Sequence, residues 1–300
     1  MFRSAKPLYV NTAADGTPGA PAGWVPGDTN FNTVFDWAEL TWVIDPNSGL
    51  SALGGNVTQV DMFGLAMKIA FSGLAGDLKT PVTYSSGFDA AAGTSQRKQI
   101  FTDIAKAGAP WKALIMRDPD NKILRVISPY HGIENHLVPA DQLQPYINRV
   151  FAHYKKGGLS GQSEGVTFTG RTSGTELVFT DTQSGETFQF PQPTTYSTYT
   201  GAFAPVPVPG DPILARRALA IGALLQGAFM RSDLVTDANL NACATKEFYQ
   251  RTPVDQYARI IHKYALDHLA YAFGFDDTCS QSSYIGVYTP KSVAITIGPL

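Results

Sequence analysis

Two carboxylates in the first quarter of the chain have the residue types and spacing to do chemistry. Glu39 lies in DWAELTW and Asp61 in NVTQVDMFGLAM, two runs in which apolar residues alternate with polar ones. Alternation is the strand signal, and the stretch NSGLSALGGN between them is rich in residues that reverse a chain. A hairpin bending near Leu50–Ser51 sets Glu39 roughly opposite Asp61. The two-residue period then puts Thr41 and Gln59 on the same face. Carboxylates held about 5–8 Å apart on a sheet face are in the range for glycosidic bond cleavage, one as acid and the other as base or nucleophile. Solvated strand carboxylates have the same sequence appearance.

The elements that must position this pair follow from the pattern of the remaining chain. Residues 1–35 read as surface strands and loops, and Met67–Phe71 continues the strands of the hairpin. A helix capped by Thr94 runs to Ala107, and Ala113–Met116 with Ile123–Ile127 flank the turn RDPDNK. A second helix spans Asp141 to Lys156, with Pro145 confined to its first turn and Gly157-Gly158 ending it. Gly165–Pro191 alternates as three strands with Ser-Gly turns at 173–174 and 184–185. Asp211-Pro212 is a cap followed by a helix-starting proline, and Thr252-Pro253 repeats the signal before Val254–Leu269. SVAITIGPL closes the chain as a strand.

Composition bounds the rest. Three hundred residues that are 44% hydrophobic can bury a large core, as one big domain or two lobes. Charged residues make up 16% and the net charge is −2, which lacks the basic footprint of a nucleic-acid binder. No apolar run reaches the 18 residues of a membrane span, and the opening MFRSAKPLYVNTAADG lacks the apolar core of a secretory signal. Cys243 and Cys279 are the only cysteines; they form one bridge or remain two separate buried thiols. His131 and His136 fall in a loop without zinc-site spacing, so neither metal nor cofactor is expected. Of Trp37, Trp42 and Phe63, at least two are expected in the core.

The order of these motifs resembles glycoside hydrolase family 64, the laminaripentaose-producing β-1,3-glucanases. AELTW with NVTQVDMFGLAM at the start, and AYAFGFDDTCSQSSYI with SVAITIGP at the end, look like the opening and closing strands of a thaumatin-like fold. INRVFAHYKKG, TFTGRTSGTELVFT, TGAFAP followed by DPILARRALAIGALL, and PVDQYARIIHKYALD are similar to that family's middle. The resemblance implies a mainly β protein with α/β: a thaumatin-like β-barrel or sandwich (1–88 and 270–300), an inserted mixed α/β domain (89–269), and a wide groove between them. It implies Glu39 as acid and Asp61 as base in an inverting reaction; the residues alone leave that order open.

The same resemblance places Thr41 in the groove. It sets Asp276 and Asp277 where thaumatin-like proteins have an acidic cleft, although a turn in FDDT is the simpler reading. The Asp45–Gly54 loop looks longer than the family's. The implied protein is an extracellular monomer acting on β-1,3-glucan without a cofactor, a membrane or nucleic acid. A different class, a thaumatin-like glucan binder without catalysis, is the second reading.

Overall fold

The computed structural model describes residues 7–91, 95–235 and 238–300, which leaves the expected cap Thr94 outside the described residues. Along the chain it begins with β1 (Asn11–Thr12), β2 (Pro18–Gly19), β3 (Trp37–Ile44), β4 (Ser51–Thr58), β5 (Met62–Phe63), β6 (Met67–Leu74) and β7 (Pro81–Gly87). Next come α1 (Gln96–Lys106), β8 (Ile115–Arg117), β9 (Ile123–Ile127), α2 (Pro129–Glu134) and α3 (Gln144–His153). Four strands follow, β10 (Leu159–Ser163), β11 (Val166–Ser173), β12 (Glu176–Asp181) and β13 (Thr187–Pro191). The chain closes with α4 (Thr195–Thr200), α5 (Pro212–Arg231), α6 (Gln256–Tyr264) and β14 (Ile285–Ile297). The protein is mainly β, with several sheets and few helices.

Two compact units result. The first comprises residues 1–138, 260–272 and 281–300, and the second 139–259 and 273–280. The expected boundary at residue 89 is therefore displaced. Residues 89–138 belong to the first unit because β9 pairs with β5, Met62 opposite Ile127 and Phe63 opposite Val126.

In the first unit an antiparallel sheet has the order β3-β4-β14-β6-β7. The alternation of β6 becomes alternating burial along its length. Its inward residues, Met67, Ile69 and Phe71, join Leu53, Val57, Leu65 and Val287 in one buried cluster. The last strand inserts between β4 and β6, with Val287 opposite Leu53 and Val293 opposite Phe71. Phe63 packs edge-on against Phe88, and Phe101 of α1 lies beside it.

The β3–β4 hairpin differs from expectation. Ile44 pairs with Ser51, so the reversal is the short turn between them; the expected bend at Leu50–Ser51 lies at its far end. Asp45 Oδ1 accepts the N–H groups of Asn47 (2.7 Å) and Ser48 (3.0 Å), which closes the turn. Ser51–Gly54 are strand residues, so the long loop expected over Asp45–Gly54 is not there. Phe63 is buried, whereas Trp42 is 63% exposed and Trp37 half-buried, which leaves one core residue of the expected two.

In the second unit, β10-β11-β12-β13 form an antiparallel sheet. Its phenylalanines Phe168, Phe179, Phe188 and Phe190 pack against one another, Phe190 stacks on Phe203, and Phe203 packs edge-on to Phe229 of α5. Asp211 caps α5 by accepting the N–H groups of Ile213 and Leu214, as its sequence indicated. By length and composition alone α5 is apolar enough to cross a membrane, but 56% of that stretch is buried in the protein. The helix expected over Val254–Leu269 is shorter, Gln256–Tyr264, and starts where Asp255 Oδ1 accepts the N–H of Ala258 at 3.0 Å. Cys243 and Cys279 form a disulfide, with 5.3 Å between their Cα atoms.

Candidate active site

Glu39 is exposed on β3, and its ladder partner is Asn56, not Asp61. The hairpin turns earlier than expected, so Asp61 lies beyond the end of β4. What couples the two segments is a third carboxylate. Asp36 Oδ2 accepts the N–H groups of Gly64 (2.8 Å) and Leu65 (3.0 Å), while Oδ1 accepts that of Trp37 (3.0 Å). Glu39 follows this clasp by three residues and Asp61 precedes it by three. Gly64 is required here, since a Cβ would strike the carbonyl of Phe35. Burial pushes the Asp36 carboxyl up to about 7, against the N–H donors of Leu65, Gly64 and Trp37 and the charge of Arg125. Arg97 adds a second tie, donating from Nε to the Gly64 carbonyl at 2.6 Å.

Asp61 is held from the far side by α2. Its carbonyl accepts the N–H of Ser128 at 2.8 Å, just before that helix begins. Tyr130 donates its hydroxyl to Asp61 Oδ1, and His131 Nε2 lies 3.2 Å from the same oxygen. Partial burial works to raise the carboxyl. The hydrogen bonds from His131 and Tyr130, with the charge of His131, outweigh it, so Asp61 sits below the usual carboxylate range. His131 Nδ1 meets Glu134 Oε2 at 2.7 Å, and the imidazole stacks on Trp24 with centroids 4.2 Å apart. Asn135 Nδ2 donates to the carbonyls of Trp24 (3.1 Å) and His131 (2.8 Å), which fixes that stack.

These partners were missed in the sequence, where His131 was placed in a loop. Two local signals pointed to them: Ser128-Pro129 as a helix start, and the three-residue spacing of His131 and Glu134 on one helical face.

The face of β3 that carries Glu39 also carries Thr41, which pairs with Gly54; Gly54 in turn pairs with Gly286 of β14. With no side chains there, the sheet surface drops into a depression of about 350 Å³ lined by Thr41, Gly54, Gly286, Tyr284 and Tyr288. The hydroxyl end of the Tyr284 ring lies where a Gly54 Cβ would be, so any side chain at 54 would displace that ring. Tyr284 is 59% exposed and Tyr288 38%, an aromatic lining open to solvent.

Three expected groove residues behave differently from Thr41. Gln59 is buried at 1% exposure, its N–H donating to the Tyr271 carbonyl, so it does not share the open face of Glu39. Asp276 is fully buried and pairs with Arg231 Nη2 at 2.9 Å, which bars it from substrate. Asp277 is exposed at the following turn, where its carbonyl accepts the Ser280 N–H. Among the described residues no group of His, Cys, Asp and Glu is arranged to hold a metal ion.

The structure thus holds a partly exposed carboxylate hydrogen-bonded at Oδ1 and, on β3, an exposed carboxylate two residues from an aromatic-lined depression, residue types with which glycosidic bonds are cleaved. The chain belongs to glycoside hydrolase family 64, described as beta-1,3-glucanase, which it matches over residues 2–297. It is similar to the glucan endo-1,3-beta-glucosidase of Arthrobacter sp. (strain YCWD3), 27% identical over 290 residues, covering 95% of this chain and 49% of that protein. The chain thus spans about half the length of that curated relative. A laminaripentaose-producing beta-1,3-glucanase solved with laminaritetraose superposes with a TM-score of 0.82 at 27% identity, over 99% of this chain and 77% of that one. A beta-1,3-glucanase domain from Clostridium beijerinckii does so with a TM-score of 0.77 at 26% identity, over 99% and 74%.

Proposed function

We propose that this chain is a catalytic module that hydrolyses β-1,3-glucan, as its family and the named activities of its relatives support. The observation that carries this reading is the asymmetric hold on Asp61: among the described residues two donors occupy Oδ1, and Oδ2 is left to take a proton. Asp61 acts as general base, accepting a proton from the water that attacks the anomeric carbon. Glu39 acts as general acid, giving its proton to the departing glycosidic oxygen as that bond breaks. Inversion follows, because water enters opposite the leaving group, and it calls for carboxyls about 6.5–9.5 Å apart.

The depression of Thr41, Tyr284 and Tyr288 takes a sugar face beside Glu39. The wider reading is a thaumatin-like first unit in an extracellular monomer that releases short oligosaccharides such as laminaripentaose.

The test is incubation with linear β-1,3-glucan, counting new reducing ends and following the anomeric configuration of the first products by proton NMR. New ends in the inverted configuration are expected. Binding without new ends would instead identify a glucan-binding protein, and retained configuration would overturn the mechanism.

A further inference from the structure

We propose that His131 is a positioning residue for the general base, held as an imidazolium between the carboxylates of Asp61 and Glu134. The proposal rests on Asp61 being the base.

The argument begins with proton counting. A neutral imidazole carries one N–H, so it can donate to one neighbour only. His131 faces a carboxylate at each nitrogen, Asp61 Oδ1 from Nε2 at 3.2 Å and Glu134 Oε2 from Nδ1 at 2.7 Å. Two ionised carboxylates require a proton on both nitrogens. The ring's other neighbours suit a cation. Trp24 lies against one face at 4.2 Å and an interplanar angle of 17°, and the Tyr130 ring centroid is 3.8 Å away. The titratable groups facing the ring are Asp61 from the segment after β4, and Tyr130 and Glu134 from its own helix; Trp24 comes from the loop before β3. His131 itself is 6% exposed, whereas Glu134 is 41% exposed and reachable by solvent.

The consequence for catalysis is a division of labour between two carboxyls. An inverting site needs one carboxyl protonated and one ionised at the same pH, so their environments must differ. His131 supplies that difference. Its charge and its N–H favour the ionised form of Asp61, and with Tyr130 it pins Oδ1 so that Oδ2 is presented to water. Glu39 has no such cation among its ladder neighbours, Asn56 with Gly55 and Val57 on either side.

The experiment combines ring nitrogen spectra with pH profiles. In the intact protein, with five histidines and His131 assigned through His131→Asn, the His131 signals should report protons on both nitrogens at pH 7.5. Glu134→Gln, a change at an exposed position, should leave the ring with a proton on one nitrogen only. In both variants the acid limb of kcat/KM should move to higher pH, by about one unit in His131→Asn, with KM for glucan little changed. A singly protonated ring at pH 7.5, or an acid limb unmoved in both variants, overturns the proposal. Asp61→Asn separates it from the reading beneath it. Lost hydrolysis there, with His131→Asn and Glu134→Gln matching wild type at all pH values, keeps Asp61 as base and removes His131; retained hydrolysis removes both.

Discussion

Asp36 Oδ2 accepts the Gly64 N–H at 2.8 Å across 28 residues of chain, and this bond ties the segment carrying Glu39 to the segment carrying Asp61. The same oxygen takes the Leu65 N–H, so one carboxylate sets the course of the backbone in both segments.

Asp36→Asn keeps the shape of the side chain but turns an NH2 group toward at least one backbone donor. A buried donor left unsatisfied costs about 1–3 kcal/mol. The variant should lose that much stability in denaturant titration and lose hydrolytic activity through displacement of Asp61. Wild-type stability with unchanged turnover would show that the clasp is dispensable.

The raised pKa of Asp36 also has a definite sign for stability. Between the carboxylate's ordinary value of 3.8 and about 7, the folded state binds more protons at this group than the unfolded state does. The contribution is therefore fully present below about pH 4 and is lost as pH rises through about 7. Asp61 works the other way: its lowered value stabilises the fold above the unfolded pKa and is lost in acid. Thermal midpoints measured from pH 4 to 7.5 should fall less steeply in Asp36→Asn than in wild type. Equal slopes would count against a neutral Asp36 in the fold.

The proposed roles of the pair predict a mutational asymmetry. Asp61→Asn should abolish hydrolysis of every glucan, because water activation is needed whatever departs. Glu39→Gln should spare an activated aryl or fluoride glycoside long enough to fill the site, since acid assistance matters in proportion to the basicity of the leaving oxygen. Near-normal activity of Glu39→Gln on natural glucan would place the acid elsewhere. Asp277 is then the residue to test, because Asp276 is committed to Arg231.

Tyr284 provides a test of the aromatic depression. Tyr284→Ala should raise KM for glucan about tenfold, equivalent to about 1.4 kcal/mol, with kcat changed less and thermal stability retained. An unaltered KM would remove this depression from the binding path.

The Cys243–Cys279 bridge closes a loop with a sequence separation of 36 inside the second unit. Replacing both cysteines with serine should lower stability by about 2–4 kcal/mol. Denaturant curves of the two proteins, compared without reductant, measure the difference.

Much of the scaffold was legible because its signals are local. The alternation of Val166–Ser173 and Glu176–Asp181 fixes their faces, and the Asp211-Pro212 start of α5 needs only neighbouring residues to cap it. That Thr41 shares the face of Glu39 was legible for the same reason, since the two residues have the same parity on β3. Gln59 and Asp276 were misplaced because burial is decided by what packs on them, and neither Tyr271 nor Arg231 is a close neighbour in sequence.

The choice of Glu39 and Asp61 came from residue type, strand spacing and the family resemblance, all of which are properties of the sequence. Which partners Asp61 would find came only with the tertiary structure. His131 lies 70 residues away, Gly64 meets Asp36 over 28, and β14 inserts beside β4 from the other end of the chain. A periodic pattern specifies which face a side chain takes within its own element. It carries no information on which distant element will supply a proton, a charge or a ring, since that depends on how many surfaces bury together at once.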